Sequence, residues 1–219
     1  MNIIDCEQGT REWLSARAGL VTASRIKTVM CQSGRGGGPS KTREDYKRQL
    51  VCEILTGYPV KNFLKTPAME HGNKYEPDAR DAYRLMTGFN VTEVGLVRHP
   101  SIEMAAASPD GVVDEDGLLE IKCPSPETHD KYCKLGAVPA AYLHQVMWQL
   151  ACCERKWVDF VSFNPFMTGF GRIHIVRVYP DVQLIKEMER TVLDFAREVM
   201  RSIPVGYDLS VFCNKFGFL

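Results

Sequence analysis

The spacing of apolar residues changes several times along the chain, and each change marks an element. GTREWLSARAGLVTASRIKTVM (residues 9–30) reads as a helix, a glycine-containing turn and a second helix capped near Thr22 or Ser24. REDYKRQLVCEILTG (43–57) keeps a helical period and stops at Gly57, with Pro59 just beyond. In PAMEHGNKYEPDARDAYRLMTG (67–88), Tyr75, Ala79, Tyr83 and Met86 fall on one helical face. The period then shortens, and NVTEVGLVRHP (90–100) and EMAAASPDGVV (103–113) read as strands. PAAYLHQVMWQLACCER (139–155) returns to the helical period, with Leu143, Val146, Met147 and Leu150 as its apolar stripe. KWVDFVSFNP (156–165) and GRIHIVRVYP (171–180) are two further strands, and a long helix starts at Asp181. That order of elements, with no internal repeat and no clear linker, predicts a single α/β domain over residues 1–219 whose central sheet is flanked by helices.

One stretch resists a purely structural reading. SPDGVVDEDGLLEIKCP (108–124) has the pattern of a β-hairpin, with Val112, Val113, Leu118, Leu119 and Ile121 as strand interior and Asp114–Gly117 as the turn. Side chains alternate along a strand, so Glu120 and Lys122 share one face while Leu119, Ile121 and Cys123 take the other. A three-residue loop Glu115–Gly117, with Gly117 left-handed, pairs Asp114 with Leu118, Val112 with Glu120 and Asp110 with Lys122. That register gathers Asp110, Glu120 and Lys122 at one edge of the sheet. A two- or four-residue loop would send Asp110 to the opposite face.

Two converging carboxylates repel unless something neutralises them. A hard divalent cation does so, and Mg²⁺ is typically held by one or two carboxylates while keeping waters. The Lys122 ammonium beside it would orient or help deprotonate the attacking water and offset charge on a phosphodiester under in-line attack. The plain alternative is a surface Glu–Lys pair with an aspartate in a turn, a pattern that chance supplies often.

Composition narrows the field only a little. With 45% hydrophobic and 25% charged residues the chain has the makeup of an ordinary globular protein. No apolar run approaches the length of a membrane span, and MNIIDCEQGTREW lacks the apolar core of a signal peptide, so the expected location is the cytoplasm. Eight cysteines include no C-x-x-C pair, which favours reduced, mostly buried thiols over disulfides or a zinc or iron–sulfur site. The five histidines (His71, His99, His129, His144 and His174) lack ligand spacing and read as structural.

Charge is balanced at 27 basic and 27 acidic residues, yet between Arg11 and Arg48 nine Lys/Arg stand against three acids, which points to a polarised surface or a solvated helix face. SGRGGGPS (33–40) is a flexible loop and not a Walker phosphate loop, because Ser40 precedes Lys41-Thr42 and no strand leads in. GYDLSVFCNKFGFL (206–219) is too apolar for a disordered tail and is expected to pack on its own core or on a neighbouring subunit.

Five motifs in order, EQGTREWLSARAGLVTAS, HGNKYEPDAR, ASPDG, LEIKCP and YLHQV, resemble the PD-(D/E)XK nuclease superfamily and, within it, the lambda-exonuclease (YqaJ-like viral recombinase) branch. The resemblance runs from about Glu7 to Tyr179. It implies a restriction-endonuclease-like core with a central mixed β-sheet flanked by helices. It also implies Asp110 and Glu120 as metal ligands, joined by the Ile121 carbonyl, and Lys122 as the catalytic lysine. Glu76 resembles the helix-borne glutamate that completes the acidic site, and Gln145 the glutamine that positions substrate or water. An i,i+4 pair with Arg80 is the alternative for Glu76, and simple exposure the alternative for Gln145.

Arg17 resembles the arginine of a pocket for a terminal 5′-phosphate, with Ser24 and Ser108 as hydroxyl partners. A guanidinium fork suits that anion, although a salt bridge for Arg17 and a helix cap for Ser24 stand beside this reading. Met69 stands where an apolar wedge could part a duplex end, or is an ordinary core methionine. Tyr142, one turn before Gln145, is a secondary contact or packing.

Taken together, the resemblance implies a Mg²⁺-dependent 5′-to-3′ exonuclease, with Mn²⁺ as a substitute metal. Such an enzyme acts on 5′-phosphorylated ends of double-stranded DNA, releases 5′-mononucleotides and leaves 3′ overhangs for recombination. A homotrimeric ring and a single-strand annealing protein as partner belong to the same expectation. An endonuclease using the same metal site is the nearest rival and would not need the Arg17 pocket. A non-catalytic DNA-binding module is a second rival, against which the intact set of Asp110, Glu120 and Lys122 counts.

Overall fold

The computed structural model describes residues 1–31, 38–60 and 66–207. In chain order the elements are β1 (Asn2–Ile4), α1 (Arg11–Arg17), β2 (Val21–Thr22), a 3-10 turn at Ala23–Arg25, α2 (Ile26–Met30), α3 (Lys41–Thr56), α4 (Pro67–Thr87), β3 (Val91–Thr92), β4 (Leu96–Arg98) and β5 (Ala105–Ala107). There follow β6 (Gly111–Val113), β7 (Gly117–Lys122), α5 (Pro126–Leu135), α6 (Leu143–Cys153), β8 (Trp157–Phe163), β9 (Ile173–Val178) and α7 (Val182–Arg201). The glycine-rich loop, except for its last residues, and nearly all of the apolar tail lie outside the described residues. No helix among those described is long and apolar enough to cross a membrane.

Helix limits follow local chemistry. Ser40, Thr66 and Ser125 each accept a backbone N–H of the following turn, and Gly57, Gly88 and Gly136 close the same three helices in the left-handed conformation. Helix α5 obeys that grammar, with Pro126 in its first turn, but apolar spacing does not reveal it: His129 is its buried residue. Met86 departs from the expected α4 stripe and is 47% exposed, whereas Ala79 and Tyr83 are fully buried.

The strands divide into two mixed sheets, β1-β4-β5-β2 and β3-β6-β7-β8-β9. Each of the two long strands read between residues 90 and 113 breaks in its middle and serves both sheets. One break lies at Gly95, where a Cβ would stand 2.3 Å from the Cys6 carbonyl oxygen. The other lies at Ser108–Asp110, between β5 and β6. β7 and β8 are parallel, joined through α5 and α6, while the other neighbours in that sheet are antiparallel.

The hairpin register corrects the expected one. Val113 pairs with Gly117, Val112 with Leu118 and Gly111 with Leu119, so the three-residue loop is Asp114–Asp116. Asp114 takes the left-handed turn (φ 43°), which a short polar side chain tolerates. Gly117 stays in the strand for another reason: a Cβ there would lie 2.2 Å from the Trp157 ring. The shift is two residues, so facing is preserved, and the register carried one step further sets Asp110 opposite Glu120 rather than Lys122.

The larger core lies where α2, α3, α6 and α7 meet the first sheet, around Leu20, Ile26, Leu50, Trp148 and Phe195. A smaller one sits between α4 and the second sheet, with Tyr83, Val91, Leu119 and Phe163. Beneath α4, buried Asp159 accepts the Tyr83 hydroxyl at 2.7 Å and the Arg177 guanidinium at 2.8 Å twice, a fully paired charge that pins the helix to the sheet.

Candidate active site

A cleft of about 1180 Å³ opens beside the two strand breaks, and every residue singled out in the sequence as a site candidate lines it. Its polar residues gather into an acidic end on the second sheet and a basic end on the turns around α1 and β2.

At the acidic end, the Asp110 carboxylate accepts the Ile121 N–H at 2.6 Å, which ties the residue before β6 to the C-terminal end of β7. Glu120 is 1% exposed and takes three donors: Lys122 and Gln145 on Oε1, Gln149 on Oε2. A carboxylate has about four acceptor lobes, so one remains. Burial pushes the Asp110 carboxyl well above its ordinary range, neighbouring Glu120 and Glu76 push the same way, and Lys122 and the Ile121 N–H oppose them. Burial pulls the Lys122 ammonium down, but Glu120 and Asp110 outweigh it and the group is held above its ordinary value.

Glu76 stands at the cleft and also makes the expected i,i+4 pair with Arg80. Its pKa is raised mainly by burial, and its Oε1 accepts Arg80 Nη2 at 2.6 Å, one helical turn on. Arg80 in turn donates to the Asp110 carbonyl, so α4 and the hairpin are joined at this point. Gln145 is half-buried on Glu120 rather than simply exposed. Tyr142 packs against Tyr132 and Phe160 and lies 5.3 Å from Lys122 Nζ, ring centroid to nitrogen. Met69, 43% exposed on the first turn of α4, reaches the cleft and is no core residue.

At the basic end, Arg17 Nη2 donates to Thr22 Oγ1 at 3.2 Å and Ser24 Oγ at 3.3 Å, and its guanidinium lies 4.1 Å over the Trp13 ring. Trp13 Nε1 reaches Ser108 Oγ at 2.9 Å, so Arg17, Ser24 and Ser108 belong to one connected set. Burial lowers the Arg17 pKa; nearby Tyr46 and Glu53 oppose this, and the like charge of Arg25 adds to it. Helix α3 supports the turn that carries these groups. Glu53 accepts the Gly19 N–H at 2.9 Å and Gln49 at 2.7 Å, and the Tyr46 hydroxyl donates to the Leu20 carbonyl at 3.2 Å.

Sequence reasoning missed Gln149, Trp13 and Glu53. Gln149 lies one turn beyond Gln145 on the same helix face, and that spacing is the signal that could have found it. Nothing local marks Trp13 or Glu53, because their partners lie 95 and 34 residues away in sequence.

An aspartate ahead of the first hairpin strand, Glu-x-Lys on the second, and a helical crossover to a parallel neighbour make this a PD-(D/E)XK nuclease fold. Residues 12–156 match the YqaJ-like viral recombinase domain, and the chain belongs to that family. It is similar to the alkaline exonuclease LHK-Exo of Laribacter hongkongensis: 37% identity, 95% of this chain and 99% of that one covered, and a TM-score of 0.79. LHK-Exo in complex with dAMP gives the same identity and coverage with a TM-score of 0.80. A phage-related exonuclease of Haemophilus somnus shares the fold at 15% identity and TM-score 0.59, over 82% of this chain and 92% of its own. An uncharacterized protein, R354 of Acanthamoeba polyphaga mimivirus, is 30% identical over an alignment of 197 residues that covers 76% of this chain and 33% of R354. The chain thus spans about a third of that relative's length.

Proposed function

We propose that the chain is a Mg²⁺-dependent exonuclease that digests double-stranded DNA from 5′-phosphorylated ends, releases 5′-mononucleotides and leaves a 3′-ended single strand for recombination. One observation carries the reading: a single cleft has a carboxylate pair with a lysine at one end and a guanidinium ringed by hydroxyls at the other. The solved complex of LHK-Exo with dAMP supports it, since dAMP is a mononucleotide of the kind such digestion yields.

The donor set fits a hard divalent cation. Asp110 is a half-buried carboxylate whose pKa is held above its ordinary range by desolvation and by a second carboxylate, and a cation would relieve both. Among the described residues no three His, Cys, Asp or Glu side chains converge into a cage. Asp110 and Glu120 would therefore hold Mg²⁺ or Mn²⁺, with the Ile121 carbonyl as a third donor and waters completing the shell. When bound, the ion supplies positive charge against the phosphodiester and makes water a better nucleophile.

The chain's own residues do the rest. Lys122, held protonated between Glu120 and Asp110, offsets charge on the phosphate oxygens. Gln145 and Gln149 fix the Glu120 carboxylate, and Glu76 borders the same space from α4. Arg17, Ser24 and Ser108 bind the terminal phosphate, while Met69 at the rim wedges the duplex end and Tyr142 backs Lys122. A ring-shaped homotrimer around the DNA and a single-strand annealing protein as partner complete the proposal.

Incubation with Mg²⁺ and a 5′-phosphorylated linear duplex should release nucleotides, while a covalently closed circle stays intact and EDTA stops the reaction. Nicking or linearisation of the circle would replace this reading with an endonuclease using the same acids.

A further inference from the structure

Arg25 follows Ser24 directly and ends the 3-10 turn after β2. Its guanidinium lies 4.5 Å over the Tyr46 ring and lines the cleft with Arg17. Among the described residues it makes no hydrogen bond or ion pair, and its Nε is buried without a partner. A buried cationic donor with no acceptor is costly unless a ligand completes it. The neighbouring groups do not supply that acceptor. Tyr46 is buried with its hydroxyl on the Leu20 carbonyl, and burial pushes its pKa up to about 12, so the ring stays neutral. The Glu53 carboxylate is engaged by Gly19, Gln49 and the Val60 N–H. Two guanidinium groups thus share one end of the cleft, and among the described residues nothing accepts the buried Arg25 Nε.

We propose that Arg25 is a second phosphate-binding residue, which joins Arg17 in holding the dianionic terminal phosphate monoester and sets the preference for it over an internal phosphodiester. This rests on the reading of the chain as an exonuclease that recognises 5′-phosphorylated ends. A terminal monoester carries up to two negative charges near neutral pH and three free oxygens, whereas an internal diester carries one charge. One fork satisfies the diester; the monoester has acceptors for two. The Tyr46 ring beneath Arg25 orients the planar group without consuming any of its donors.

The test measures affinity in EDTA for one hairpin duplex ending in a 5′-phosphate or a 5′-hydroxyl, over a range of salt. The intact chain should prefer the phosphate. Arg25→Gln should lower that preference about tenfold and reduce the salt slope by about one. Arg25→Lys, which keeps the charge and loses the fork, should retain the slope and lose part of the preference, and it serves as the measure if the glutamine variant does not fold. An unchanged phosphate-to-hydroxyl ratio in either variant would overturn the role of Arg25. No preference in the intact chain would instead overturn end recognition itself, and a failure to bind duplex would overturn the nuclease reading.

Discussion

At the acidic end of the cleft, Glu120 and Lys122 stand on a strand hydrogen-bonded on both sides; at the basic end, Arg17 and Arg25 terminate a short helix and a 3-10 turn that side chains hold in place. The acids are internally committed, with three donors on Glu120 and a backbone N–H on Asp110. Arg25 keeps a donor in reserve, its Nε being buried without a partner among the described residues. The acidic end gathers Glu76, Asp110 and Glu120 about Lys122 and Arg80, and the basic end sets two guanidinium groups beside Glu53. A rigid strand suits chemistry that tolerates little displacement, whereas turns braced by α3 suit capture of an end that arrives from solution.

The largest expected effect tests whether the two ends are separable. Lys122→Ala should slow nucleotide release about 100- to 1,000-fold, as loss of a charge-stabilising group at a reaction centre does. Its preference for 5′-phosphorylated duplex in EDTA should survive; loss of both would mean that the ends act as one site. An intermediate effect is expected at Gln149, which is buried and touches Glu120 without reaching the reacting atoms. Gln149→Met should weaken Mn²⁺ binding about tenfold by calorimetry without DNA, the usual cost of removing a partner that orients a ligand. Equal affinities would reduce Gln149 to packing.

The smallest effect concerns the brace behind the basic end, where the Glu198 carboxylate on α7 accepts both Arg43 nitrogens of α3 at 2.8 Å. That bond lowers the Glu198 pKa, so its contribution exists above the ordinary carboxylate value and disappears as pH falls through the lowered folded-state value. The Glu198 side chain is 38% exposed, and solvent screening limits the effect. Glu198→Gln should therefore destabilise by less than about 1 kcal/mol at neutral pH in denaturant titrations, with the difference from the intact chain closing in acid.

Legibility in the sequence followed the range of the interaction. Alternation placed Glu120 and Lys122 on one face, and helical spacing found α3, α4, α6 and α7, because those patterns are local. The hairpin register came out two residues off, because the Trp157 ring that demands Gly117 lies on another strand. β1 and β2, of three and two residues, are too short to show a period, and β2 exists by pairing with β5, more than eighty residues on. Arg17, Ser24 and Ser108 were named through motif resemblance. What links them physically is Trp13, an indole that no spacing rule ties to residue 108.

The break between β5 and β6 has a mechanical meaning. Ser108 belongs to the Trp13–Arg17 set and Asp110 to the hairpin edge, so on the proposed function two peptide units span the distance from phosphate capture to hydrolysis. Neither sheet can slide past the other without dragging both residues along. On that proposal the backbone would act as a ruler: a strand whose terminus is seated correctly would be measured, by that same act, to the bond to be cut.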